Sequence, residues 1–146
     1  MAALKSKKVD NLMGYILTQL MSQIVDEKSH ILSLRREFSK KSDGSPVSKA
    51  DLYIDGLIYD YFAHTLPDFL LVSEESGIVG ENSCEFCVLV DPLDGTENFV
   101  SGLPIWGISI GIWHLGKNLE NILIFPELDC FAHESNLVKS EYETRI

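Results

Sequence analysis

Apolar residues at Val9, Leu12, Met13, Ile16, Leu17, Leu20, Met21, Ile24 and Val25 recur at i, i+3 and i+4 spacing, which predicts one long amphipathic helix. The methionines in that stripe read as core filler. Residues 42–46, Ser-Asp-Gly-Ser-Pro, break the period as a turn, because glycine and proline punctuate it and Pro46 disfavours helix at Ser45. A second helix is expected from Ser48, an N-cap with Asp51 three residues on, and its apolar face is Ile54, Leu57, Ile58, Tyr61 and Phe62. Pro67 closes it. Beyond Pro67 the pattern changes to short apolar runs bounded by turn residues, at 69–72, 87–90, 105–112, 122–125 and 130–132, and these read as strands. Trp106 and the alternation through Ile112 point to a half-buried strand. The last two runs are joined by Pro126-Glu127-Leu128-Asp129, a four-residue hairpin loop, so at least part of the sheet is antiparallel. Two helices followed by a sheet make the class α+β.

A chain of 146 residues with 45% hydrophobic content is the size of one domain and can build a core. We expect that domain over 1–134, followed by a polar tail over 135–146 with no placeable pattern. The 22 acidic against 12 basic residues leave a formal charge of -10, which argues against nucleic acid as a partner, since that affinity rests on clustered Lys and Arg. The short basic groups Lys5, Lys7, Lys8 and Arg35, Arg36, Lys40, Lys41 read as solvated faces. No run approaches the ~20 apolar residues of a membrane span, and the N-terminus lacks a signal-peptide core, so a cytoplasmic protein without membrane association is expected. Three cysteines fit a reducing compartment. Cys84 and Cys87 form a C-x-x-C with no second pair and no histidine at ligand spacing, and read as ordinary thiols.

The acidic residues change the picture more than the overall charge does. Asp91 follows an apolar run directly, and Asp94 comes three residues later in a turn tightened by Pro92 and Gly95. Two carboxylates at one strand end suit a hard cation such as Mg2+, which takes oxygen ligands and keeps open positions. Asp-Pro and Asp-Gly are also plain turn formers. An EF-hand fails, because Gly95 at its sixth position puts Val90, Pro92 and Ser101 at positions one, three and twelve. Glu74-Glu75 leaves the preceding predicted strand and completes a metal cluster if the two strands adjoin.

Taken in order, Lys41-x-Asp43-Gly44-Ser45-Pro46-Val47-x-x-Ala50-Asp51, Glu74-Glu75-Ser76, Val90-Asp91-Pro92-Leu93-Asp94-Gly95-Thr96-x-Asn98-Phe99 and Gly102-Leu103-Pro104 resemble the inositol monophosphatase family. The Asp91 to Thr96 run is shared with fructose bisphosphatases and bisphosphate nucleotidases, while Asn98-Phe99 and Gly102-Leu103-Pro104 look closer to the inositol-phosphate branch. The resemblance implies two helices on a largely antiparallel sheet, the N-terminal half of a layered α/β/α/β/α sandwich. It implies Mg2+-dependent hydrolysis of a small phosphorylated metabolite with two or three ions per site, and a possible homodimer. Residue by residue, Glu74, Asp91 and the Leu93 carbonyl would ligate the first metal, and Asp94, with Asp91 bridging, the second. Asp51 and Thr96 would orient and activate the attacking water, and the Gly95 and Thr96 N–H groups at a helix N-terminus would receive phosphate oxygens.

The family continues into a second α/β region with a metal-ligating Trp-Asp element, and here Trp106 precedes Gly107 and Trp113 precedes His114. The expectation is therefore a truncated chain with an incomplete second metal site. Two functional classes follow: a phosphomonoesterase, or a catalytically inert homologue that binds metal, phosphate or a protein partner. Glu97 adds negative charge beside the expected phosphate site, where family members often have a small polar residue.

Overall fold

The computed structural model describes residues 2–44, 46–66 and 68–133, with side chains from residue 12 onward. The first helix, α1 (Ala2–Asp26), buries Met13, Ile16, Leu17, Leu20 and Ile24. These are the centre of the predicted stripe, while Leu12 at its margin is exposed and the side chain of Val9 lies outside the described residues. A short α2 (Lys28–Ser33), absent from the periodicity reading, buries Ile31 and runs into a 3-10 turn, Leu34–Arg36.

The predicted turn at 42–46 is the tip of a small antiparallel hairpin, β1 (Phe38–Lys40) against β2 (Pro46–Ser48); Ser45 itself lies outside the described residues. Ser48 then caps α3 (Lys49–Thr65) with the reciprocal bonds of a capping box. The Pro67 stop lies outside the described residues. Substituting Ser48 with Ala removes a buried cap, and a loss of about 1–2 kcal/mol in urea unfolding is the expected result.

The rest is one six-stranded sheet of β3 (Phe69–Ser73), β4 (Gly77–Val79), β5 (Phe86–Asp94), β6 (Gly107–His114), β7 (Lys117–Phe125) and β8 (Cys130–His133), in the order β4-β3-β5-β6-β7-β8. All pairs are antiparallel except β3 with β5. The α+β class with helices on a largely antiparallel sheet therefore holds. Alternation decides which sheet face is covered. Leu71, Val88, Val90, Ile108, Ile110, Ile112, Ile122 and Ile124 are buried beneath α1 and α3, while Leu89 and Leu123 on the other face are exposed.

Two expectations need correcting, and a third gains detail. The strand expected at 105–112 begins only at Gly107, and Trp106 is a fully buried residue ahead of it, not part of a half-buried strand. The expected four-residue hairpin loop at 126–129 does join β7 to β8, with Phe125 opposite Cys130, and it is built from a 3-10 turn, Pro126–Leu128, followed by Asp129 in the left-handed region at φ 47. Asp91 does not follow its strand but sits within it, since β5 runs on to Asp94.

Candidate active site

The site starts from a register accident in β5. Asp91 pairs with Ser109, and Asp94 with Gly107, so three steps on β5 meet two on β6. That extra residue is a β-bulge. Without it Asp94 would point to the opposite face from Asp91, because strand side chains alternate. With it, both carboxylates act on one another. β3 lies parallel beside β5 with Ser73 opposite Val90, and the Glu74 N–H donates to the Val90 carbonyl at 3.2 Å. Glu74 therefore stands next to Asp91, and the two acidic strand ends do adjoin.

The Asp91 carboxyl is pushed above the ordinary carboxylate range, first by burial, then by the charges of Glu74 and Asp94, and in smaller part by Asp51. The Leu93 N–H, donating to Asp91 Oδ1 at 3.2 Å, opposes that shift.

Asp51 reaches the same place from the first turn of α3. It is 2% exposed, and its Oδ2 accepts from the Ser48 N–H at 2.7 Å and the Ser48 hydroxyl at 2.5 Å. Its Oδ1 is left for Thr96, whose Oγ1 lies 3.0 Å away across 45 residues of sequence. Thr96 Oγ1 is also 3.0 Å from the Leu93 carbonyl. One hydroxyl carries one proton, so Thr96 donates to Asp51 or to Leu93 at any moment. Thr96 opens α4 (Thr96–Val100), capped by Gly95 at φ 85, a left-handed conformation that suits glycine. The first bond of that turn runs from the Phe99 N–H to the Gly95 carbonyl at 3.0 Å, so the preceding N–H groups have no acceptor within the helix.

The chain matches the model of the inositol monophosphatase family over residues 10–133. It belongs to the inositol monophosphatase family. It is 31% identical to an inositol-1-monophosphatase of Mesorhizobium japonicum over 105 residues, covering 66% of this chain and 40% of that one. Against a fructose-1,6-bisphosphatase of Pyrococcus furiosus it is 38% identical over 61 residues, 42% of this chain and 24% of that one. Its fold superposes on the crystal structure of the extragenic suppressor protein suhB of Bartonella henselae with a TM-score of 0.67 at 30% identity, covering 86% of this chain and 48% of that one. The chain thus spans about half the length, or less, of the relatives it matches.

In this inositol monophosphatase-family chain the motif residues Asp51, Glu74, Asp91, Leu93, Asp94, Gly95 and Thr96 come from four separate elements and meet at one end of β3 and β5. Lys41 was expected to be a solvated loop lysine. Instead its Nζ contacts Glu74 Oε1 at 2.8 Å and Glu75 Oε1 at 2.7 Å, and Glu74 first, then Glu75, hold its ammonium above the ordinary lysine range. Glu75 is the more buried of the two acids, with a side chain 7% exposed against 57% for Glu74. The expectation of a solvated Arg35 also fails, because its guanidinium lies over the Phe99 ring and pairs with Glu127.

As the side chains stand, no group of three or more His, Cys, Asp or Glu among the described residues is arranged to hold a metal ion. Glu74 points to Lys41. The donor set nonetheless suits a hard cation in kind, being carboxylate and carbonyl oxygens only, and the mutual crowding at Asp91 is the strain a cation relieves. Metal binding through Glu74 Oε1 would exchange the Lys41 ammonium for the metal.

Sequence reasoning missed Asp55 and Ser73. Asp55 is buried one turn after Asp51 on α3 and accepts from the Ser73 hydroxyl, and Ser73 Oγ in turn accepts from the Glu75 N–H at 3.2 Å. Its i+4 spacing from Asp51 was the available signal, since that places both carboxylates on one helix face.

Proposed function

We propose that this chain carries the metal-binding half of a Mg2+-dependent phosphomonoesterase acting on a small phosphate monoester, an inositol or sugar monophosphate. The observation that supports this best is the Asp51–Thr96 hydrogen bond of 3.0 Å, which joins a helix N-terminus to the bulged strand end beside Asp91. Mg2+ held by Glu74, Asp91, Asp94 and the Leu93 carbonyl would neutralise phosphoryl charge and acidify a water. The protein's own residues do the rest. Asp51, fixed through Oδ2 by Ser48, presents Oδ1 as the proton acceptor. Thr96 hands its hydroxyl proton to Oδ1 while Oγ1 accepts one from the attacking water, so the pair works as a relay. The Gly95 and Thr96 N–H groups receive phosphate oxygens. Lys41, freed from Glu74, stays within reach of Glu75.

The test is direct. Purified chain should bind Mg2+ at millimolar concentration by calorimetry and release phosphate from inositol or sugar monophosphates, with both lost in Asp91→Asn and Glu74→Gln. Intact Mg2+ affinity in both variants would sink the assignment of the ligands. Asp91→Asn has a second expected effect without metal. The folded state holds the Asp91 proton more tightly than the unfolded chain does, so the stability of the metal-free protein falls as pH rises from the ordinary carboxylate value through the raised one. The Asn variant removes that loss, so the metal-free variant should melt higher than the parent at pH 7.

A second reading, a catalytically inert module, is favoured by the Lys41–Glu74 pair, which occupies a prospective metal ligand. Mg2+ binding without phosphate release would support it.

A further inference from the structure

We propose that Arg35 and Glu127 are positioning residues that hold Thr96 against Asp51 through Phe99 and Trp106, a role that rests on the relay described above. α4 has five residues, far below the ~12–15 at which an isolated helix becomes marginally stable, so contacts from outside must fix it. Besides the Thr96–Asp51 bond and packing on β2, those contacts include the ones made by Phe99, which is fully buried. One side of its ring is covered by the Arg35 guanidinium, with Cζ 4.8 Å from the centroid, and the Trp106 ring packs edge-on at 4.9 Å and 73°.

Glu127 ties the two covers together. Its Oε2 accepts from Arg35 Nη2 and, at 2.5 Å, from the Trp106 indole N–H. Arg35 Nε is buried with no hydrogen-bond partner, and the Arg35 and Glu127 side chains are 22% and 19% exposed. The guanidinium thus depends on Glu127 and on the Phe99 face. Removing the Glu127 charge leaves a poorly solvated cation uncompensated beside the ring.

The segment between Gly95 and Trp106 is closed on itself by hydrogen bonds. The Leu103 N–H donates to the Asn98 carbonyl at 2.9 Å, and Asn98 Nδ2 donates to the Ile105 carbonyl at 2.7 Å. At Gly95 a side chain would lie 3.2 Å from the Ile105 carbonyl oxygen, so the two ends of the unit are in close approach. A force applied at Glu127 is carried through Trp106 and Phe99 to Gly95 and Thr96. Three parts of the chain distant in sequence, the turn Leu34–Arg36, the turn Pro126–Leu128 and α4, meet in this clamp.

Hydrogen exchange on the full chain tests it without needing turnover. Glu127→Gln keeps an acceptor for Trp106 and removes the charge facing Arg35; Arg35→Met keeps the stem and removes the cation over Phe99. In either variant the Phe99 amide, bonded to the Gly95 carbonyl, should exchange at least about tenfold faster while the amides of β6 keep their rates. The double variant should add little to either single one. Where the parent turns over, kcat/KM should fall about tenfold, because the Thr96 relay and the Gly95 and Thr96 N–H groups that receive phosphate lie on the same loosened turn. Unchanged Phe99 exchange overturns the proposal, and so does a rise shared equally with β6, which marks uniform destabilisation. A parent chain that releases no phosphate but shows the local Phe99 response refutes the hydrolase reading and leaves the clamp standing.

Discussion

Asp51→Asn is expected to lower kcat for phosphate release by about 100- to 10,000-fold, the range a positioned general base supplies, with little change in KM. The substitution is nearly isosteric. Its carbonyl still accepts from the Ser48 N–H, so the α3 cap survives and the melting temperature should move by only a few degrees. What the amide lacks is the ability to take a proton. Thr96 Oγ1, 3.0 Å from both Asp51 Oδ1 and the Leu93 carbonyl, would then donate to Leu93 alone, and the relay ends at a side chain that can accept nothing further. Thr96→Ala should cost a similar factor. The double variant should be no slower than the worse single one, because residues acting as a unit are not additive. Initial rates at saturating Mg2+ decide it: an Asp51→Asn enzyme within threefold of the parent, as an order-of-magnitude threshold, means the base lies elsewhere.

The largest loss of stability is expected from Phe62→Ala, about 3–5 kcal/mol, or roughly 10 °C in Tm. Phe62 is fully buried near the C-terminal end of α3, edge-on to Tyr61 at 5.6 Å and tilted against Phe69 at 6.0 Å. It therefore couples the helix that carries Asp51 to β3, the strand that leads to Glu74. Truncation leaves a cavity bounded by a helix and a sheet, neither of which can close on it without breaking hydrogen bonds elsewhere. Phe62→Leu retains most of the volume and should recover more than half of the loss. Equal melting temperatures for Phe62→Ala and the parent would show that α3 is anchored by other contacts.

Much of this fold is legible in one dimension because its periods are clean. The stripe from Met13 to Ile24 and the alternation through β6 and β7 each sort polar from apolar positions at one repeat, and burial follows from that repeat. The capping box at Ser48 and Asp51 is a local device of adjacent residues, so the sequence contains all of it. The motifs at Glu74 and Asp91 to Thr96 likewise name their chemistry by residue type. α2 and β1 escaped notice because each is too short to show a period.

What no period records is proximity between distant residues. Lys41 in a turn and Arg35 after a helix look alike as solvated cations. One lies between two glutamates and the other under a buried aromatic cluster, because elements that are remote in sequence pack beside them. The bulge between Asp91 and Asp94 is equally hidden: it depends on how β5 registers against β6, a property of two strands and not of either alone. The residue types and local caps were set by the chain itself. Which carboxylates share a face, which cation neutralises them and what holds Thr96 in place were decided only by packing, since burial and charge interactions act across space whatever the separation along the sequence.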